Sequence, residues 1–192
     1  MLQLHRQSPT TLLDNCIAEI AAGNKQALSI LYEYTQSDVY AFALSTLKNS
    51  HDAEDVLHDC FVSIWNNAGS YRSQSKPMAW ILTITKNLCL KILRGRAKST
   101  QLDMEDWREH LDCCTEMTAD DKVIIEECMS CLSEEERQIV VLHAVSGFKH
   151  REIAKLLDLA LPTVLSKYRR TIKKLKEHLK EEGVEYHERY GS

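Results

Sequence analysis

The 192-residue chain contains little glycine or proline, and it lacks the alternation of β-branched and polar residues that marks half-buried strands. Apolar residues recur instead with helical spacing along most of the chain. No apolar run reaches the length of a bilayer span, and residues 1–11 lack the apolar core of a signal peptide. We therefore expect an all-α protein of two small domains, located in the cytoplasm and inserted in no membrane.

The sequence also lacks the motifs of common catalytic sites. It contains no glycine-rich phosphate loop, no HExxH pair, and no Ser/His/Asp or Cys/His set that the sequence brings together. The chain is therefore not expected to be an enzyme or to need a cofactor.

Seven cysteines occur without a secretory signal, which indicates free thiols rather than a disulfide framework. Cys128 and Cys131 form a CxxC pair, and with His110 and Cys114 upstream a zinc site of four ligands could be assembled. Cys128 and Cys131 also lie at helical spacing in an apolar seam, where cysteine is usually a small buried hydrophobic residue. We favour the buried interpretation and expect no metal; a metal or redox switch is the alternative.

Charge is unevenly distributed, although the formal net charge is only −4. Residues 1–98 hold ten basic and eight acidic residues, residues 99–127 hold two and ten, and residues 128–192 hold twelve and ten. This pattern predicts two domains with basic surfaces, at 10–96 and 122–180, joined by an acidic linker at 97–121.

Residues 133–175 have the pattern of a helix-turn-helix. Ser133 and Glu136 fit a capping box, which predicts that a helix starts there, and Gly147 is the small residue expected where it ends. A short helix is expected from about Arg151. A turn at 158–161 and a third helix, with Pro162 in its first turn, should follow.

The third helix has two unlike faces. Val164, Tyr168, Ile172 and Leu175 recur at helical spacing and predict a buried seam. Residues 149–180 hold ten basic residues against three acidic ones, which favours DNA binding over an ordinary solvated face. The candidate contacts to duplex DNA, with hydroxyl groups nearer the N-terminal end and cations further along, are Pro162, Thr163, Ser166, Lys167, Arg169, Arg170, Lys173 and Lys174.

In the first half of the chain, a helix predicted from Asp52 to Trp65 carries a broad apolar stripe and an acidic opposite face. Its acidic residues begin in the first turn, where the helix dipole favours negative charge. The acidic face could be merely solvated, or it could bind a basic partner. Its candidate contact residues are Glu54, Asp55, His58 and Asp59.

A polar loop at 66–76 and a two-faced helix from Pro77 follow. The side of this helix that is expected to be buried holds Ile81, Ile84, Leu88 and Ile92.

Residues 72–98 hold seven basic residues and no acidic one, which suits a nucleic-acid backbone. In the loop, Tyr71 could stack on an unpaired base or could be an ordinary core residue. The candidate contacts to nucleic acid in the loop and on the polar side of the helix are Asn66, Tyr71, Arg72, Lys76, Thr83, Lys86, Asn87 and Arg94.

Together these stretches resemble the bacterial sigma-70 family of RNA polymerase sigma factors, in its two-domain, extracytoplasmic-function form. The resemblance rests on residues 52–56 (DAEDV), 61–65, 76–88 (KPMAWILTITKNL) and 132–140, followed by Glu152-Ile-Ala154 and Thr163-Val164. These motifs occur in the family's order and cover most of the chain between residues 12 and 179.

The resemblance implies a division of labour between the two domains. The acidic helix would bind the clamp helices of the largest subunit of core RNA polymerase. The 66–76 loop and the cationic helix face would recognise and open the minus-ten element by trapping a flipped base. The second domain would recognise the minus-thirty-five element as duplex, and an anti-sigma factor would be a further partner. The alternative is a two-domain helix-turn-helix regulator that never melts a promoter.

Several residues depart from the pattern of the family. Asp158 stands where glycine is usual, although aspartate tolerates the left-handed conformation better than most residues. Ala160 and Leu161 stand where a hydroxyl cap is common, Leu165 occupies a position that is often basic, and Lys91 one that is often acidic. These changes concern the DNA sequence that is recognised rather than the architecture.

Overall fold

A computed structural model describes residues 9–73, 76–96 and 119–181. These residues form eight α-helices and one short 3-10 helix, with no strand among them, so the predicted all-α class is confirmed. In this part of the chain no helix is long and apolar enough to cross a membrane. The described residues fall into two compact units, 9–96 and 119–181. Residues 97–118 of the predicted linker, including His110 and Cys114, lie outside them.

The N-terminal unit consists of four helices: α1 (Pro9–Ala21), α2 (Lys25–Leu47), α3 (Ser50–Asn67) and α4 (Pro77–Arg96). α2 packs against α3 and α4, and α1 packs against all three. Asn24 and Asn49 begin α2 and α3 as N-caps, because their side chains accept hydrogen bonds from the first amides of each helix. Lys48 ends α2 in a left-handed conformation, with φ of 55°.

The buried face of α4 differs from the predicted one. Of the four predicted residues only Ile81 is fully buried, and Leu82, Thr85 and Cys89 lie in the core in place of the others. Thr85 is accommodated there because its hydroxyl donates to the Ile81 carbonyl at 3.1 Å, which satisfies the polar group within the helix. α4 is covered by α1, α2 and α3, and their positions decide which face is enclosed. The half-buried residues of the prediction are Ile84, Leu88 and Ile92.

The C-terminal unit consists of α5 (Ala119–Ser130), α6 (Glu134–Ala144), α7 (His150–Leu157) and α8 (Leu161–Glu181). The predicted capping box is present: the Ser133 amide donates to Glu136 Oε2 at 2.9 Å, and the Glu136 amide donates to Ser133 Oγ at 3.4 Å. Asp158 ends α7 with φ of 58°, so aspartate does adopt the left-handed conformation of the turn. α8 packs against the other three helices, and α7, the turn and α8 form the helix-turn-helix.

Arg137 is a charged side chain in the core of this unit, with 1% of its surface exposed. Its Nη1 donates to the Leu132 carbonyl at 2.6 Å and to the Met129 carbonyl at 3.5 Å. Burial lowers the pKa of Arg137, while Glu134 and Glu136 act in the opposite direction. Because a buried cation must find acceptors, these bonds tie the end of α5 to α6.

Candidate functional site

An open cavity of about 370 Å³ lies between the loop after α3 and the first turns of α4. The rings of Tyr71 and Trp80 form its aromatic wall, with centroids 4.9 Å apart and planes inclined by 49°. Arg72 and Lys76 are exposed cations on its lining, and Thr83 adds a hydroxyl group. Aromatic walls beside cations suit a flat base attached to a phosphate backbone. The full lining is Ser70, Tyr71, Arg72, Lys76, Ala79, Trp80 and Thr83.

Tyr71 has a structural role as well as a place in this cavity. It is half-buried, and its hydroxyl donates a hydrogen bond of 2.5 Å to Asp14 Oδ1 on α1. This bond joins residues 57 positions apart, so no local pattern in the sequence could indicate it. Trp80 was absent from the predicted set. Its position one turn into a helix that carries cations was the signal that could have identified it.

The other predicted residues of this surface lie on one side of α4. Thr83, Asn87 and Arg94 are exposed, and Lys86 is half-buried. Their helical spacing places them within one face that continues from the cavity. Asn66 is exposed near the end of α3.

One cation of the basic run at 72–98 faces the protein instead. Arg96 forms an ion pair with Asp52 on α3, and its Nη1 lies 3.5 Å from the Leu47 carbonyl oxygen. Arg96 therefore joins α4 to α2 and α3.

All four acidic-face residues predicted to bind a partner are exposed on α3. Beside them, α2 and α3 border an open, mainly apolar groove of about 490 Å³. Val62 lies at this groove with 58% of its surface exposed. The sequence pattern did not indicate this groove, because its lining comes from two helices. The acidic-face residues are Glu54, Asp55, His58 and Asp59, and the groove is lined by Leu28, Ser29, Tyr32, Glu33, His58, Phe61, Val62 and Trp65.

α8 presents its predicted seam to the unit and a cationic face to solvent. Of the predicted seam, Val164 is fully buried, and Tyr168, Ile172 and Leu175 are half-buried. Thr171, which was not predicted, is also fully buried. Thr163, also half-buried, lies beside this seam. The exposed residues of the predicted DNA-binding set on the open face are Pro162, Ser166, Arg169, Arg170 and Lys173.

Lys167 and Lys174, both predicted to contact DNA, turn towards α6. Lys167 Nζ forms an ion pair of 2.8 Å with Glu135 Oε2, and Lys174 Nζ donates to the Cys131 carbonyl. These contacts hold α8 against the start of α6 and the segment before it. Glu135 compensates the charge of Lys167, whereas the neutral carbonyl does not compensate that of Lys174.

The CxxC pair lies at the end of α5. Cys128 is buried, and Cys131 donates from Sγ to the Cys128 carbonyl at 3.1 Å. Burial, and then the proximity of Cys131 and Glu127, raise the pKa of the Cys128 thiol, which disfavours the thiolate that a metal ion needs. Within the described ranges no group of three or more metal-ligating side chains comes together, and His110 and Cys114 lie outside those ranges.

Two family models match the chain, one for each unit. The model for sigma-70 region 2 matches residues 31–99, and that for sigma-70 region 4 matches residues 122–175. The chain is 27% identical over 174 residues to the ECF RNA polymerase sigma factor SigK of Mycobacterium sp. (strain KMS), which covers 87% of this chain and 90% of the relative.

Two solved structures of protein complexes contain a chain with the same fold. One is the sigma factor RpoE with the anti-sigma factor NepR from Bartonella quintana, with a TM-score of 0.67 and 25% identity over 78% of this chain and 94% of that one. The other is CnrH with the cytosolic domain of CnrY, with a TM-score of 0.63 and 22% identity over 88% and 97% of the two chains. With both units matched in order, the chain belongs to the sigma-70 family of RNA polymerase sigma factors, in its extracytoplasmic-function form.

Proposed function

We propose that the two units of this sigma factor recognise one promoter in two different states. The N-terminal unit binds an unpaired base of the minus-ten element, and the C-terminal unit binds the minus-thirty-five element as duplex. The observation that carries the proposal is that a cation-lined aromatic cavity and an exposed cationic recognition helix occur on the same chain.

The cavity at Tyr71 and Trp80 is suited to a base that has left the stack. Extrusion of a base costs a few kcal/mol. Stacking of a base on an aromatic side chain returns about 1–3 kcal/mol, and nearby cations add a favourable interaction with the backbone. Arg72 and Lys76 would hold the phosphates that flank the base, while Thr83, Lys86, Asn87 and Arg94 would follow the strand along α4.

The open face of α8 is suited to duplex DNA. Its N-terminal end, with Pro162, Thr163 and Ser166, would enter the major groove, since short side chains allow the helix to approach the base edges. Arg169, Arg170 and Lys173 lie further along the helix, where they would contact phosphates.

Core polymerase would bind the exposed face of α3. Glu54, Asp55, His58 and Asp59 would meet basic residues of the clamp helices in the largest subunit. An apolar side chain of the same partner would enter the groove beside Val62, since interfaces combine an apolar centre with a polar rim.

RNA synthesis itself would belong to the polymerase, so this chain would not catalyse a reaction. We also place this chain in the cytoplasm. The two structural relatives are bound to partner proteins, one of them an anti-sigma factor. We include an anti-sigma factor among the partners of this chain for that reason. A regulator that never melts DNA is not favoured, because the N-terminal unit matches sigma-70 region 2.

The test is run-off transcription from a promoter library with purified chain and core polymerase. We expect initiation from a specific subset of promoters that requires both components. Val62→Arg should abolish this initiation by placing a charge in the groove, whereas Val62→Ala should retain most of it. Binding of the chain to duplex DNA with no core-dependent initiation from any promoter would contradict the proposal and support the non-melting regulator.

A further inference from the structure

Three aromatic rings meet where α6 converges with α7 and α8, the two helices of the helix-turn-helix in the C-terminal unit. They belong to His143 in the last turn of α6, His150 at the first residue of α7 and Tyr168 in the middle of α8. The two imidazole centroids are 4.4 Å apart, with planes inclined by 32°. The Tyr168 ring meets both edge-on, at 4.9 Å from His143 and 4.8 Å from His150. A single cluster therefore contacts α6, α7 and α8 at once.

The hydrogen bonds of the cluster indicate which ring nitrogens already have a partner and which do not. His143 Nδ1 lies 2.8 Å from the Phe148 carbonyl oxygen. Since a carbonyl oxygen can only accept, the hydrogen of this ring is on Nδ1. His150 Nε2 is buried and has no hydrogen-bond partner among the described residues. An additional proton at this position would thus lack an acceptor in this part of the chain.

The charges around His150 also oppose protonation. From α6 the titratable group that faces it is His143, and from α8 it is the Tyr168 phenol. On α7 itself Arg151 follows directly, and the Glu152 carboxylate accepts from the Lys149 amide at 3.2 Å. His150 stands at the start of α7, where the helix dipole disfavours a cation. Neither imidazole has an ion pair with a carboxylate within the described ranges.

We propose that the cluster of His143, His150 and Tyr168 makes the helix-turn-helix sensitive to acid. A proton on His150 would lie beside a second imidazole, at the positive end of a helix and without an acceptor. Its most direct relief is for the ring to swing into water. That movement breaks the contacts that hold the start of α7 against α6 and α8, so the DNA-binding motif loosens.

The direction of the effect follows from the pKa of His150. Burial, and then the proximity of His143, lower the pKa of His150. The unfolded chain, with an ordinary histidine pKa of about 6.5, therefore takes up the proton more readily than the folded one. The neutral ring of His150 contributes its full stability above about pH 6.5, and this contribution is lost as the pH falls from there through the lower folded pKa of His150.

Hydrogen exchange of the full chain, followed by mass spectrometry at about pH 7 and about pH 5.5 with correction for the intrinsic rates, tests the proposal. Amides of α7 and of the adjoining turn of α8 should lose protection several-fold in acid, while those of α2 keep theirs. His150→Phe keeps a ring in the cluster but cannot be protonated, so its α7 should not respond to acid. His51→Gln, at an exposed histidine of α3, is the matched control and should respond as the wild type does.

Nuclear magnetic resonance titration of the histidine ring protons in the wild-type chain is the second measurement. It should give His150 a midpoint below about 6.5. A midpoint at or above that value would overturn the proposal, as would unchanged protection of α7 in acid or a full acid response in His150→Phe. If His150→Phe does not fold, the histidine midpoint and the protection of α7 in the wild-type chain decide together. Neither measurement uses DNA or polymerase, so the proposal can fail while the proposed function stands.

Discussion

The two units have candidate nucleic-acid surfaces of opposite shape. The N-terminal unit has a concave site in which Tyr71 and Trp80 form walls, whereas the C-terminal unit has the convex, cationic face of α8. A cavity of this kind gains most of its free energy from stacking on a base that has left the helix. A charged face gains it from phosphates, and its binding depends on salt. Similar basic surfaces therefore suit two different states of DNA.

Within both units, candidate contact residues also stabilise the fold. Tyr71 is bound to Asp14 on α1, and Lys167 and Lys174 are bound to groups at the start of α6 and the end of α5. The hydrogen bond of the Tyr71 hydroxyl leaves the ring on the cavity wall, so Tyr71 can stabilise the fold and contact a base at the same time. The ion pair with Glu135 compensates the charge of Lys167, so structure and DNA would compete for Lys167. Lys174 donates only to a neutral carbonyl and keeps its charge.

The largest effect is expected from a substitution that destabilises one unit and leaves the other folded. Arg137→Ala leaves a cavity and removes the donor to the Leu132 and Met129 carbonyls, so the C-terminal unit should lose at least about 3 kcal/mol of stability. The N-terminal unit should keep its own unfolding transition in denaturant, and duplex binding should disappear. Arg151→Ala, at an exposed site on α7, should change stability by less than about 0.5 kcal/mol. Equal losses in the two variants would show that Arg137 does not hold the unit together.

The next largest effect concerns the concave site. Trp80→Ala removes one aromatic wall and should weaken binding of a single-stranded minus-ten oligonucleotide by about 1–3 kcal/mol. Fluorescence anisotropy with labelled single-stranded and duplex DNA would measure this, and the duplex affinity should not change. Trp65→Ala removes a tryptophan from the α3 groove instead and serves as the control. If Trp65→Ala weakened single-strand binding equally, the cavity at Tyr71 would not be the binding site.

A smaller effect is expected on the convex face. Arg170→Ala should weaken duplex binding. It should also lower the slope of log Kd against log salt concentration by the amount that corresponds to about one phosphate contact. Lys167→Ala should lower that slope less, because the Glu135 carboxylate already compensates the charge of Lys167. A slope lowered equally by both substitutions would mean that Lys167 leaves Glu135 when DNA binds. An unchanged slope in Arg170→Ala would place the DNA on another face.

The smallest effect is a change in stability at the ends of two helices. Lys48 and Asp158 both have positive φ, a conformation that glycine adopts without strain. Each substitution to glycine should stabilise its own unit by up to about 1 kcal/mol in thermal unfolding. The gain should be larger for Lys48→Gly, because aspartate tolerates this conformation better than lysine does. Alanine at either position should give no gain, and a gain from alanine would exclude relief of backbone strain as the cause.

Helix ends were predictable where short-range hydrogen bonds define them. The Ser133–Glu136 capping box and the left-handed Asp158 depend on neighbours within a few positions, and both are present. The enclosed face of α4 was not predictable, because Thr85 and Cys89 are buried by three surrounding helices despite a pattern that favoured isoleucine and leucine. Apolar periodicity records only what the side chains prefer, and not which neighbour covers them.

The sequence by itself determined the all-α class, the order of the helices, the helix-turn-helix and the concentration of cations on two stretches, because each depends on local propensity and composition. Only the tertiary structure decided that Tyr71 joins Trp80 in a cavity, that Lys167 and Lys174 contact α6 and the segment before it, and that His143, His150 and Tyr168 form one cluster. Each of these contacts joins different helices or loops of one unit. Such distances depend on how the helices pack, and helix packing is a property of the whole unit rather than of any stretch within it.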